Sequence, residues 1–139
     1  MGCIFCQIVE GKLPAHKVYE NEHVVAFLDL YPINTGHTLV VPKQHVELLS
    51  DLPPDTAAHL LQAAQQVEKA IRASTLHCEA SNVVINNGKA AGQEIPHVHL
   101  HIIPRFRGDG VRFHVDQKKA SREELETAAL EIIGKVSSN

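Results

Sequence analysis

The stretch His97-Val98-His99-Leu100-His101-Ile102-Ile103 decides how the rest of this 139-residue chain is interpreted. Side chains alternate between the two faces of a β-strand, so as a strand this stretch places its histidines on one face and its apolar residues on the other. The apolar face has an obvious place in a core, and the three imidazoles line a surface or cleft together. Such strict alternation disfavours a chance placement of histidines on a solvated face.

The ends of this run are too far apart for all three imidazoles to bind one metal ion. Residues four apart along a strand are separated by roughly 13 Å, whereas zinc–nitrogen bonds are about 2 Å long. At least one imidazole is therefore left for other chemistry. A neutral imidazole is a competent nucleophile towards phosphorus, and a backbone carbonyl that holds its Nδ1–H would present Nε2 as the attacking atom. Neighbouring histidines can donate protons to phosphate oxygens.

Cys3-x-x-Cys6 leaves three interpretations open, namely a redox motif, a coincidence and half of a metal site. A redox pair would normally open a helix in a βαβ unit, which the following sequence does not indicate. A structural zinc ion needs two further ligands, and His45 and His97 are the best candidates. If His97 binds metal, His99 is left as the nucleophile and His101 as its helper.

The loop before the histidine run, residues 86–94, is rich in small and polar residues. Gly88 and Gly92 allow backbone conformations that expose consecutive N–H groups, and such concavities bind anions. Asn86 and Gln93 add side-chain donors. An ordinary connecting loop is the alternative, but the position directly before the histidines favours a phosphate-holding element.

The spacing of apolar residues predicts an α+β fold in a single domain, residues 1–139. The predicted strands cover residues 17–20, 23–30, 37–41, 81–86 and 98–103, the last stopped by Pro104, and the longest periodic segment predicts a helix over 54–76. A short helix is expected over 4–9, and a capping box of Ser121 and Glu124 opens a final helix over 121–134. The result is an antiparallel sheet of about five strands with one long helix, a short N-terminal helix and a C-terminal helix.

Composition and the first residues of the sequence argue against nucleic-acid binding, export and membrane insertion. The formal net charge of −3 gives no support to nucleic-acid binding, although Arg105, Arg107 and Arg112 offer local basicity for a small anionic ligand. The first residues lack a signal peptide's charged and apolar regions, and no apolar run reaches membrane-spanning length. Three cysteines without a secretory signal favour a reducing environment, so a cytoplasmic protein with no nucleic-acid or membrane partner is expected.

The histidine run resembles the signature of the histidine triad (HIT) superfamily, and the match extends well beyond it. Phe-Leu-Asp-Leu at 27–30 and Gly-His-Thr-Leu-Val-Val-Pro-Lys-Gln-His at 36–45 look like the ribose-binding strand and the strand after it. Asn-Asn-Gly at 86–88 and Ala-Gly-Gln at 91–93 look like the phosphate loop. The resemblance covers roughly residues 3–107, which leaves 108–139 as a C-terminal extension, and the cysteine pair indicates the zinc-bearing branch. Residues 104–109, Pro-Arg-Phe-Arg-Gly-Asp, resemble the branch with a longer carboxyl terminus.

The resemblance implies a HIT-like fold, a homodimer with a continuous sheet, a structural zinc and a pocket for a purine nucleotide. It implies that the middle histidine attacks the α-phosphorus and forms a nucleotidyl-histidine that water then hydrolyses. Carried over by position, the implied roles are His99 as nucleophile, His101 on the phosphate or positioning the nucleophile, Asp29 on the ribose, Phe27 and Leu30 on the base, Asn86, Gly92 and Gln93 on the phosphate, His37 as an orienting residue behind the triad, and Cys3, Cys6, His45 and His97 on the metal. Glu94 departs from the family pattern, in which many relatives have a hydroxyl residue on the α-phosphate.

The expected function is therefore hydrolysis or nucleotidyl transfer on a nucleoside phosphoramidate or a dinucleoside polyphosphate. One alternative is a nucleotide-sensing binding protein whose turnover is incidental. Another is a zinc-dependent hydrolase with His99 and His101 on a catalytic metal, which would leave Cys3 and Cys6 without a role. The leaving group and the physiological substrate stay open.

Overall fold

A computed structural model describes residues 2–113 and 115–136, so residues 1, 114 and 137–139 of the predicted domain lie outside the described residues. Its helices and strands, in chain order, are α1 (Ile4–Val9), β1 (Lys17–Glu20), β2 (Val24–Leu28), β3 (Thr38–Pro42), α2 (Pro54–Ala73), β4 (Ala80–Ile85), β5 (Leu100–Arg105) and α3 (Arg122–Ile133). All strand pairs are antiparallel, and the strands lie in the order β1-β2-β3-β5-β4. The α+β prediction, with five strands and three helices, is confirmed.

The sheet is covered on both faces, and each face has its own apolar cluster. On one face, alternate residues of the central strands pack against the long helix α2, among them Val40, Leu100 and Ile102. On the other face, Phe27 and its neighbours pack against Phe5 of the short helix α1. Burial on both faces explains why β2 and β3 are almost continuously apolar, and each fully buried aliphatic side chain contributes roughly 1.5–3 kcal/mol.

The long helix α2 follows directly from the sequence. Pro54 occupies its first turn, where the missing N–H costs nothing, and the apolar positions recur on the face that meets the sheet. The helix ends at Ala73 and not at Leu76 as predicted, because Ser74 adopts an extended conformation and its hydroxyl donates to the carbonyl of Ile71.

Strand β5, which contains the second half of the histidine run, differs from its prediction at both ends. It begins at Leu100 and not at Val98, because the Val98 N–H donates to the carbonyl of Val46, outside the sheet. It also continues through Pro104, which was expected to stop it. Pairing with β3 ends at Ile102, so only β4 flanks Pro104 and no ladder bond on the other side is lost.

The C-terminal helix α3 begins as the sequence predicts. Ser121 and Glu124 form both hydrogen bonds of the capping box. None of its residues is buried, and its large apolar side chains are exposed. None of the helices within the described part of the chain combines the length and the hydropathy that a bilayer-spanning segment requires.

Candidate functional site

The three histidines of the run lie on the face of the sheet that meets α1. His97 is completely buried and His99 is 6% exposed, whereas His101 is partly exposed. Phe5 packs edge-on against both His97 and His99, with ring centroids 5.8 and 5.1 Å away. The imidazoles of His99 and His101 are neighbours, with centroids 4.9 Å apart. Phe5, which no sequence motif indicated, therefore covers part of the histidine face.

The four residues expected to bind metal come together from three separate parts of the chain. Their ligand atoms all lie within 4.8 Å of one another. Cys3 caps the start of α1 and Cys6 lies within it, His45 follows β3, and His97 precedes β5. The fold thus brings four side chains that commonly bind zinc to one point.

The distances within this cluster fit a tetrahedral zinc ion. At zinc–nitrogen and zinc–sulfur bond lengths of about 2.0 and about 2.3 Å, a tetrahedron separates two nitrogens by about 3.3 Å and a nitrogen from a sulfur by about 3.5 Å. The Nδ1 atoms of His45 and His97 are 3.2 Å apart, and Sγ of Cys3 is 3.5 Å from Nδ1 of His97. Sγ of Cys6 is 3.3 Å from Nδ1 of His45 and 3.7 Å from Nδ1 of His97. Two thiolates and two imidazoles are also the donor set that zinc prefers.

His97 connects this cluster to the rest of the site through its other polar atoms. Its Nε2 lies 2.8 Å from the carbonyl oxygen of Pro42, so the ring donates there and keeps Nδ1 unprotonated towards the cluster. Its backbone carbonyl accepts a hydrogen bond from Nδ1 of His99, also at 2.8 Å. Burial lowers the pKa of the His97 imidazole, which favours the neutral form that a metal requires.

His99 therefore has a defined tautomer. A carbonyl oxygen can only accept, so Nδ1 of His99 bears a hydrogen, and in the neutral ring Nε2 is the nitrogen with the lone pair. Nε2 has no hydrogen-bond partner among residues 2–113 and 115–136. The ring is thus oriented by its own backbone neighbourhood, with Nε2 as the nitrogen left for a ligand.

A second set of hydrogen bonds fixes the tautomers of His37 and His101. The Ile33 N–H donates to Nδ1 of His37 at 3.0 Å, so a neutral His37 carries its hydrogen on Nε2. That Nε2 lies 2.9 Å from Nδ1 of His101, which must accept, so the hydrogen of His101 is on Nε2. His101 therefore has an N–H left to offer to a ligand. The Asp29 carboxylate lies 3.5 Å from Nε2 of His37.

The electrostatics of this pair favour two neutral rings. Burial lowers the pKa of His37, and the nearby Asp29 carboxylate only partly opposes it. Burial, followed by the neighbouring His99 and His37, lowers the pKa of His101 to about 4. Both rings are therefore uncharged near pH 7, as the relay of hydrogen bonds requires.

The loop before the histidines is folded more tightly than expected. The N–H groups of Gly88, Ala91, Gly92 and Gln93 all donate within the loop. The side chain of Gln93 is buried, and its amide bonds the backbone at Gly88, Glu47 and Ile95. The expected row of consecutive free N–H groups is absent at these four positions, because the loop uses them to satisfy its own carbonyls and the Gln93 side chain.

The remaining expected residues occupy different depths around the histidines. Phe27 is buried beneath Phe5, with ring centroids 5.5 Å apart, whereas Leu30 is 79% exposed. Asp29 accepts the N–H of Tyr31 through Oδ1. Asn86 is half-buried at the end of β4, and Glu94 is exposed.

Three contributions to the site were not predicted, and they differ in how visible they are in a sequence. Phe5 stands between the two cysteines, so its closeness to the metal cluster could have been inferred from that spacing. The Ile33 N–H and the Pro42 carbonyl are backbone groups, and backbone groups leave no sequence signal because every residue type offers them.

Comparison with known proteins is consistent with this geometry. A family model described as the HIT domain matches residues 10–108. The crystal structure of a member of the HIT family from Bacillus subtilis has a TM-score of 0.91 and 36% identity, and the match covers 100% of both chains. A Zn-bound histidine triad family protein from Mycobacterium smegmatis has a TM-score of 0.78 and 42% identity, over 96% of this chain and 97% of that one. A histidine triad nucleotide-binding protein from Candida albicans has a TM-score of 0.86 and 29% identity, over 96% of both chains. The predicted family resemblance and HIT-like fold are confirmed.

The low pKa of His101 gives a testable pH dependence. The imidazole is expected to stay neutral on acidification until about pH 4. Because histidine in an unfolded chain binds its proton near pH 6.5, the unfolded state gains the proton first, and the stability contributed by this group is lost as pH falls from about 6.5 to about 4. NMR titration of the imidazole nitrogens, assigned with a His101→Asn variant, measures the midpoint; a midpoint near 6.5 would contradict the assignment.

Proposed function

The chain belongs to the HIT family, and from this premise we propose that it binds a purine nucleotide and cleaves it at the α-phosphate through a nucleotidyl-histidine. The single observation that supports this most directly is the hydrogen bond from Nδ1 of His99 to the His97 carbonyl, which makes Nε2 the lone-pair nitrogen of the neutral ring. An oriented neutral imidazole is the form in which histidine is a nucleophile.

The proposed reaction has two displacement steps. In the first, the Nε2 lone pair of His99 forms a bond to the α-phosphorus, and the bond to the leaving group breaks with its electron pair, which takes a proton from water. The His97 carbonyl stabilises the positive charge that develops on the ring, because Nδ1 keeps its hydrogen bond. In the second step a water oxygen bonds to phosphorus, loses its proton to solvent, and the nitrogen–phosphorus bond breaks to restore His99.

The phosphate contacts are proposed to come from His101 and the end of β4. His101 is proposed to donate its Nε2–H to a phosphate oxygen, with His37 as the residue that fixes this hydrogen in place. Asn86 has a half-buried side chain that adds a second donor. Gln93 and Gly92 are proposed to act by holding the loop in shape, since the Gln93 amide already donates to the carbonyls of Glu47 and Ile95 and the Gly92 N–H donates to the carbonyl of Lys89.

The sugar and base are proposed to lie beside the loop after β2. Asp29 is proposed to accept hydrogen bonds from the ribose hydroxyls; its side chain is 19% exposed, and its carboxylate has acceptor capacity beyond the Tyr31 N–H. The exposed side chain of Leu30 is proposed to cover the base. Buried Phe27 is proposed to support the base pocket by packing against Phe5. The substrate class is a nucleoside phosphoramidate or a dinucleoside polyphosphate.

The geometry disfavours the zinc-dependent hydrolase. That alternative needs His99 and His101 on one metal ion, yet among the described residues the groups of side chains that could hold a metal do not include His99. A nucleotide sensor would use the same pocket as the hydrolase, so turnover separates these two functions.

The nucleophile is tested with a His99→Ala variant. It is expected to retain fold and nucleotide binding and to lose at least about a thousandfold in turnover, because the variant lacks the imidazole that forms the proposed covalent intermediate. Rapid quench into an alkaline denaturant with α-phosphate-labelled nucleotide should trap label on the wild type, which acid then releases, and none on the variant. His23→Ala is the matched control, since His23 stacks on His59 at the far side of the sheet and should leave turnover unchanged. Unaltered turnover in His99→Ala would refute the assignment, and tight binding by a wild type without turnover would favour the sensor.

We also propose that Cys3, Cys6, His45 and His97 hold a structural zinc ion. The distances between their ligand atoms and the Zn-bound relative from Mycobacterium smegmatis support this. A bound zinc would add a crosslink between α1, the chain after β3 and the chain before β5, and all chemistry at phosphorus remains with the histidines. Reduced cysteines suit the cytoplasm, which is the proposed location.

The zinc proposal predicts that a Cys3→Ser/Cys6→Ser variant loses its metal and melts at a lower temperature than the wild type. The cause is the loss of a crosslink between segments distant in sequence. Elemental analysis and thermal melting measure both effects, and Cys78→Ser, which removes a thiol outside the cluster, serves as the control. One zinc per chain in the double variant would rule out this ligand set.

We further propose a homodimer in which β4 of one copy pairs with β4 of a second copy. β4 is an outer strand of the sheet, so one of its edges is unpaired among the residues that the structure describes. Val83 on this strand and Leu61 on α2 are 49% and 58% exposed and lie beside a shallow groove. Antiparallel pairing of identical edges would continue the sheet across a two-fold axis.

Val83→Lys tests this interface, because a lysine on an edge strand opposes pairing with another edge. It is expected to produce monomers by size-exclusion chromatography with light scattering. Val18→Lys makes the same change on β1, the opposite outer strand, and should leave the dimer intact. A dimeric Val83→Lys protein would overturn the proposed interface.

A further inference from the structure

We propose that Asn34 and Asp109 are positioning residues for the histidine site, acting through the loop that joins β2 to β3. Together with Arg105 they form a set of side chains that we call the Arg105–Asn34–Asp109 clamp. Its kinetic consequence rests on the proposed function, whereas its effect on the imidazole tautomers does not. None of the three residues touches the proposed substrate site directly.

The Asp109 carboxylate is the centre of the clamp. Its side chain is 8% exposed and accepts a two-pronged ion pair from Arg105, with Nε 2.7 Å from Oδ2 and Nη2 3.0 Å from Oδ1. The N–H groups of Phe106 and Val111 also donate to it, at 3.1 and 3.0 Å. The surrounding turn needs Gly108, whose φ of +77° is disfavoured for other residues. The segment after β5 is thus folded around one carboxylate.

Asn34 connects the Arg105–Asp109 ion pair to the loop between β2 and β3. Its side-chain amide donates to Oδ2 of Asp109 at 3.0 Å and to the carbonyl of Pro104 at 2.8 Å. Both hydrogens of the amide are therefore donated. Their acceptors lie about seventy residues away in the sequence. Asn34 belongs to the loop between β2 and β3, so the end of β5 holds this loop at one defined point.

Asn34, the residue that is anchored to β5, directly follows Ile33, whose N–H sets the His37 tautomer. The backbone carbonyl of Asn34 accepts the His37 N–H at 3.0 Å, and the preceding residue, Ile33, donates its N–H to Nδ1 of His37. His37 in turn sets the hydrogen of His101. The same loop begins at Asp29, whose N–H donates to the His37 carbonyl at 2.9 Å. Displacing Asn34 would move the Ile33 N–H away and leave both imidazoles free to exchange tautomers.

The guanidinium of Arg105 makes further contacts besides its ion pair with Asp109. Besides Asp109, its guanidinium donates to Oδ1 of Asn82 and to the carbonyl of Val111, and it lies 5.4 Å from the ring centroid of Phe113. Arg105 thus directs its donors at Asp109, Asn82 and Val111, and local basicity for a small anion stays a prediction. The ion pair holds the pKa of the Asp109 carboxyl far below its usual range, so the clamp stays charged throughout the neutral range.

The test compares Asn34→Ala and Asp109→Asn with a matched control. Glu79→Gln is that control, because the Glu79 carboxylate also bonds the segment after β5, at the Arg107 N–H and guanidinium, but does not contact Asn34. Long-range ¹H–¹⁵N NMR reads the protonation of each ring nitrogen of His37 and His101. Steady-state kinetics with a nucleoside phosphoramidate as substrate measures kcat and KM separately.

Wild type and Glu79→Gln are expected to show single tautomers, with hydrogen on Nε2 of both rings. Asn34→Ala and Asp109→Asn are expected to show averaged nitrogen shifts and a loss of kcat/KM of about tenfold or more, mainly in kcat, because a misplaced donor fails at the developing charge. Unchanged nitrogen shifts in a folded Asn34→Ala protein would overturn the proposal, and so would altered shifts with kcat/KM within twofold of wild type. If Asp109→Asn does not fold, Asn34→Ala decides. A wild type that never forms a covalent adduct would refute the proposed function, while the NMR comparison would still decide the clamp.

Discussion

The hydrogen bond from Nδ1 of His99 to the carbonyl of His97 is the interaction on which the site depends. It fixes one ring nitrogen as a donor and makes the other the lone-pair nitrogen of the neutral ring. The residue that supplies the carbonyl also directs its own imidazole at Cys3, Cys6 and His45. One residue therefore connects the proposed metal site to the proposed nucleophile, and holding its side chain also holds its backbone carbonyl.

The other histidines follow from the need to keep hydrogens in known places. Burial makes the neutral forms of His37 and His101 the stable ones near pH 7, and a neutral imidazole has one donor and one acceptor nitrogen. A single backbone donor, the N–H of Ile33, then sets the direction of the whole relay. Such a relay is only as well defined as the loop that holds its first donor, which gives the Arg105–Asn34–Asp109 clamp its proposed purpose.

The sequence was most informative where side-chain type and periodicity limit the structure. The alternation through Leu100 and Ile102 predicted which face of the strand enters the core, and cysteine and histidine spacing identified a set of four residues that the fold brings together. Both predictions depend on side chains that have few alternative uses. The predicted strand ends were less accurate. The Val98 N–H, for example, donates to the Val46 carbonyl outside the sheet, and a backbone hydrogen bond of this kind has no sequence signal.

The phosphate loop shows the opposite case. Gln93 is predicted to hold phosphate because amides bind phosphate, but in the structure its amide donates to the carbonyls of Glu47 and Ile95 and accepts the N–H of Gly88. Asp109 was visible only as part of a resemblance, because its importance depends on Asn34, which is distant in sequence. Residue type alone cannot distinguish an amide that binds a ligand from one that binds its own loop.

The stereochemical course at the α-phosphorus tests the central claim most directly. The substrate would be a nucleotide whose α-phosphorus is a thiophosphate of one configuration, turned over in ¹⁸O-labelled water. Two successive in-line displacements, first by His99 and then by water, each invert phosphorus, so the product is expected with overall retention. Overall inversion would mean that water attacks directly, and it would contradict the role assigned to His99.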